Sequence, residues 1–82
     1  METLGTLPYR WCVYRYDGEK FTVVSVHQTV PAALVVAETQ IHEVCKSCGC
    51  TFKYNGVGDT KAFIAERDGK IYEARLVKAV QL

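Results

Sequence analysis

His42, Cys45, Cys48 and Cys50 fall within nine positions, in the run His-Glu-Val-Cys-Lys-Ser-Cys-Gly-Cys. They include three of the chain's 4 cysteines and one of its 2 histidines. Imidazole and thiolate are the ligands tetrahedral zinc prefers, so these four, or three of them with Cys12, form a zinc set to be weighed. Cys45-x-x-Cys48 followed by Gly49 has the form of one zinc knuckle. A zinc ribbon needs two separated knuckles, and four ligands within nine residues would force an awkward path through Cys48-Gly49-Cys50.

Thiol–disulfide exchange is the second chemistry open to this cluster. A reactive C-x-x-C pair opens a helix, where the positive dipole end lowers the thiol pKa. Here the pair closes a helix, where the negative end disfavours thiolate, and Lys46 offsets that in part. The third reading is reduced thiols packed as small hydrophobes, with Cys45 on the apolar stripe of the helix. That reading is the expected one, with no cofactor; zinc is the alternative.

Other catalytic arrangements are missing from the sequence. Asn55-Gly56-Val57-Gly58-Asp59 is rich in glycine but has no following helix and no Lys-Ser/Thr for a phosphate. His27 ends a strand and reads as a surface or packing residue. The carboxylates stand singly beside basic residues, as on a solvated face, and not paired for acid–base work. No catalytic residue is assigned, and the chain is not expected to be an enzyme.

The elements that would hold these residues follow from pattern. Eighty-two residues suit one domain, with residues 1–7 as a short N-terminal tail. Residues 8–28 carry two extended runs joined by Asp17-Gly18-Glu19-Lys20, and residues 61–79 repeat the plan around Arg67-Asp68-Gly69. Between them the spacing predicts a helix over 30–46. Thr29 is its N-cap, Pro31 lies in its first turn and Gly49 just past its end. Val30, Ala33, Leu34, Ala37, Ile41, Val44 and Cys45 share one helical face, whereas Val35 and Val36 point away from it. Residues 50–54 read as a third strand, with Asn55-Gly56 and Gly58-Asp59 as turn signals. The order β-β-α-β-β-β predicts an α+β fold, a small antiparallel sheet with one helix on one face.

One helix leaves the opposite face of such a sheet without a second layer. Strand alternation sends Tyr9, Trp11, Val13 and Arg15 one way, and Arg10, Cys12, Tyr14 and Tyr16 the other. In the last hairpin, Ala62, Ile64, Tyr72, Ala74 and Leu76 make the expected core set. Phe63, Ile71 and Val77 are then left outward among Glu73 and Arg75. Aromatics beside arginines are what protein interfaces enrich. Tyr9, Trp11, Arg15, Tyr16, Phe63, Glu73 and Arg75 are therefore the expected partner-binding residues, with a homodimer as one outcome.

Composition narrows the partner. With 49% hydrophobic and 23% charged residues the chain is globular and not disordered. Its net charge of +1 lacks the basic excess of a dedicated nucleic-acid binder. It is equally far from a strongly acidic DNA mimic. Five aromatics and three cations gather on the first hairpin, which gives a base-stacking alternative, but Asp17 and Glu19 interrupt that patch. No apolar run approaches a membrane span, and no secretory signal is visible. Four cysteines without a signal point to reduced thiols in a cytoplasm, that of a host cell if the chain is phage-encoded.

The hairpin that runs from Phe21-Thr-Val-Val-Ser-Val into Pro31-Ala-Ala-Leu-Val-Val-Ala-Glu resembles the plan of small phage-encoded inhibitor proteins of the anti-CRISPR type. The resemblance covers about residues 9–46 and lies in plan and size, so no functional residue carries over. It implies a non-enzymatic blocker that sterically occupies a larger defence or nucleic-acid-processing complex, such as a CRISPR effector. The competing expectation is a zinc-stabilised domain that contacts nucleic acid through its first hairpin.

Overall fold

The computed structural model describes the backbone of residues 9–81 and the side chains of residues 10–80. Expectations about the tail at 1–7 and about the side chain of Tyr9 lie outside the described residues. The strands are β1 (Tyr9–Tyr16), β2 (Phe21–His27), β3 (Thr51–Val57), β4 (Thr60–Arg67) and β5 (Lys70–Gln81), with helix α1 (Val30–Cys48) between β2 and β3. The sheet is antiparallel throughout, in the order β2-β1-β5-β4-β3. This is the α+β arrangement the sequence predicts. Because β2 and β3 are the two edges, α1 must cross the sheet to join them. No helix among the described residues is long and apolar enough to cross a membrane.

Local chemistry sets the ends of the elements. The Thr29 hydroxyl accepts from the Ala32 amide at 3.4 Å, and Pro31 occupies the first turn, where its missing N–H costs nothing. Gly49 closes the helix at φ 71°, and its amide and that of Cys50 both donate to the Cys45 carbonyl. Asp68 and Gly69 both have positive φ, which matches the type I′ geometry a two-residue hairpin favours. One turn signal misled: β3 runs on through Asn55-Gly56, and the chain reverses at Gly58-Asp59 instead. The ladder to Ala62 and Lys61 holds Asn55 and Gly56 extended, so pairing overrides local turn preference.

The core lies between α1 and one sheet face. Ala33, Ala37 and Ile41, spaced four apart, are fully buried on Val13, Val77, Phe63 and Ala65. Two alanines at the contact bring the helix close to the strands and leave Ile41, Val13 and Val77 as the largest fully buried side chains. Leu34, Val44 and Cys45 flank this line as their spacing predicts. Val36 also packs against it, contrary to expectation, whereas Val35 is 63% exposed on the outer side.

The expected core set of the last hairpin is corrected. Phe63, Ala65 and Val77 face the helix, and Ala62, Ile64, Ala74 and Leu76 lie on the opposite face, reading from the register. A register shift between Ala65 and Glu66 leaves Tyr72 unpaired and turns it to the helix side, where its hydroxyl meets Cys48.

Candidate functional site

The cysteine cluster is built into the exit of α1. Cys45 and Cys50 pack against the core. Burial, followed by the neighbouring Cys50 and Cys48, pushes the Cys45 thiol above its ordinary pKa, which suits an inert packed thiol. Cys48 donates from Sγ to the Tyr72 hydroxyl at 3.4 Å, and that contact is the first cause of a raised Tyr72 pKa. Arg67 lies 5.2 Å from the Tyr72 ring centroid and donates to the Cys48 carbonyl, a cation at a helix C-terminus.

His42 is directed elsewhere. Its ring stacks on Phe52 at 4.5 Å, and its Nε2 lies 3.5 Å from a Glu38 carboxylate oxygen. Cys12 is on the sheet face away from the helix. The four residues considered for zinc therefore do not converge, and no group of three or more His, Cys, Asp or Glu among the described residues is placed to hold a metal. All four cysteines are free thiols.

A charged network lies beneath the helix on the same side. One Glu73 oxygen, Oε2, accepts from Arg15 Nε and from Arg75 Nη1, both at 2.9 Å. Arg75 also donates from Nε to Gln40 of the helix at 2.6 Å, and from Nη1 to the Ala74 carbonyl. Burial pushes the Glu73 pKa up, but hydrogen bonds from the two arginines outweigh it and hold the carboxyl below its ordinary value. A cleft of about 480 Å³, lined in part by Arg15, Gln40, Tyr72 and Arg75, opens beside the network.

This network corrects the expected partner-binding set. Phe63, Glu73 and Arg75 are 5%, 8% and 7% exposed and lie under the helix, not on an open face. Trp11 packs against the core, and Arg15 stands at the rim of the cleft. Tyr16 alone among the described members of that set faces away from the helix, with Phe21 at 4.8 Å. The first hairpin thus divides its aromatics and cations between two faces. Tyr14, Tyr16 and Phe21 share the helix-free face, and Trp11 and Arg15 stand on the other.

The helix-free face is apolar and extends across the sheet. Phe21, Val23 and Val26 on β2 are 60%, 55% and 53% exposed. Register places Tyr14 and Tyr16 on β1, Leu76 on β5 and Ile64 on β4 beside them. Cys12 and Ala74, small and buried, flatten the middle of the face. Tyr14 neighbours Cys12 here; burial first, then the thiol, raises its pKa. The charged residues on this face are Arg10 and Lys78, the latter beside Cys12 in register, and a Lys53–Glu66 pair at 2.8 Å, with Lys53 beside Ile64. Val23, Val26, Ile64 and Leu76 were not among the expected site residues, although the uncharged run of β2 was a signal for the first two.

No family model, no curated protein and no solved structure matches this chain.

Proposed function

We propose that this chain is a non-enzymatic binding module that contacts protein through its helix-free sheet face. The observation that carries the reading is the apolar band from Phe21, Val23 and Val26 to Leu76 and Ile64, on which few charged residues stand. Contiguous apolar patches above a few hundred Å² are uncommon on monomers and mark contact sites. The network of Arg15, Glu73 and Arg75 is satisfied internally and supports a structural role for those residues. The resemblance in plan to small phage-encoded inhibitors favours steric occupancy as the mode of action, against a larger defence or nucleic-acid-processing complex. The zinc-stabilised, nucleic-acid-contacting alternative lacks a convergent ligand set among the described residues. Protein chains retained from a host extract by the wild type should be lost with Val26→Lys and kept with Val35→Lys. Equal retention by wild type and Val26→Lys would remove the face from the binding reaction.

A further inference from the structure

We propose that Cys45 and Cys50 form a redox-modification site: the C-terminal cap of α1 holds their thiols in position to close an intramolecular disulfide by exchange with a small-molecule disulfide. The pair lies on the helix side of the sheet, away from the face proposed to bind protein.

The cap supplies the geometry. Gly49 turns the chain at φ 71° and ψ 33°, and the Cys45 carbonyl accepts from the Gly49 amide at 2.9 Å and from the Cys50 amide at 3.2 Å. In such a cap the residue after the left-handed glycine folds back over the last turn. Its side chain meets that of the residue whose carbonyl it binds. A bond of this kind holds its two α-carbons about 6 Å apart, as across one helical turn. Disulfides join α-carbons about 4.4–6.8 Å apart. Cys45 and Cys50 also pack against one core, on the same side of the cap. Cys50 raises the Cys45 pKa more than Cys48 does, the order expected of the nearer sulfur.

The other thiols are directed elsewhere. Cys48 donates from Sγ to the Tyr72 hydroxyl at 3.4 Å and lines the cleft. Cys12 is buried on the opposite face of the sheet. Cys48 and Cys50 flank a single residue, and a disulfide across so short a ring is strained.

The exchange takes two steps. Cys50 stands outside the last helical turn and attacks first. Its thiolate bonds to one sulfur of the small disulfide, whose S–S bond breaks, and one small thiol leaves with the proton Cys50 gave up. Cys45 then loses its proton and attacks the Cys50 sulfur of the mixed disulfide, expelling the second small thiol. Two electrons pass from the pair to the small disulfide. Burial makes Cys45 a slow first nucleophile, and its place beside Cys50 suits it to the second step.

The full-length chain, equilibrated with excess oxidised glutathione, should lose two of its four thiols. Its mass should fall by about 2 Da, and its melting temperature should rise by about 5 °C or more. Trypsin cuts after Lys46, so the bond should link the peptide with Cys45 to the one with Cys48 and Cys50. Cys48→Ser should close the bond as the wild type does, whereas Cys50→Ser should stop at a glutathione adduct. Circular dichroism checks that each reduced variant is folded, and the wild-type thiol count and mass stand without them. Four thiols retained by the wild type, or glutathione adducts alone, overturn the site. Loss of the bond in Cys48→Ser, or its equal formation in Cys50→Ser, overturns the pairing. A bond that lowers the melting temperature overturns the preformed geometry.

Discussion

The two faces of this sheet handle polarity in opposite ways. Under the helix, charged groups sit inside: Glu73 and Arg75 are buried, and each is bonded to partners from other strands or from α1. On the helix-free face charged residues are few, Arg10 and Lys78 toward one end and a Lys53–Glu66 pair toward the other, and tyrosine, valine, isoleucine and leucine make up most of the rest. A buried charge is tolerable only when its hydrogen bonds are supplied from within, and no buried side-chain nitrogen or oxygen among the described residues lacks a partner. The covered face is therefore chemically complete. The uncovered face leaves apolar area in water, which is what association removes.

That contrast can be attacked from either side. The largest effect should come from the covered face: Ile41→Ala removes a fully buried side chain and should cost about 3 kcal/mol in denaturant unfolding. Glu73→Gln should follow, at about 2 kcal/mol, because both arginines lose their charged acceptor. Its signature is pH dependence. The Glu73 pKa is depressed in the folded state, so its contribution is present above the unfolded value of about 4.3. It is lost as pH falls through the lower folded value. The gap between wild type and Glu73→Gln should therefore shrink on acidification; a constant gap would assign the loss to packing.

The helix-free face should respond differently. Val26→Lys should alter the fold's intrinsic stability by less than about 0.5 kcal/mol. It should also abolish the retention of partner chains from a host extract, which Val35→Lys should keep. The smallest effect belongs to metal. Excess chelator should leave the melt unchanged, whereas a structural zinc would show as a large loss.

Much of the fold was legible in the sequence because its signals are local. Thr29, Pro31 and Gly49 bounded the helix, and the Asp-Gly turns located both hairpins. The orientation of the last hairpin was not legible. Alternation separates Phe63, Glu73, Arg75 and Val77 from Ile64, Ala74 and Leu76, but it does not say which set meets the helix, and both sets contain large apolar residues. Glu73 and Arg75 suggested an outward face. Only the tertiary placement of Arg15 and Gln40, distant in sequence, makes their burial tolerable. The bulge that turns Tyr72 to the helix side is invisible to a strict two-residue period. The cysteine cluster was read correctly at Cys45, whose place on the apolar stripe follows from helical spacing.

Retention of host protein chains by the immobilised full-length chain, compared between wild type and Val26→Lys, tests the role of the helix-free face most directly. The expected result is loss of the retained chains with Val26→Lys and full retention with Val35→Lys. Equal retention by wild type and Val26→Lys, with loss only in Val35→Lys, would contradict it.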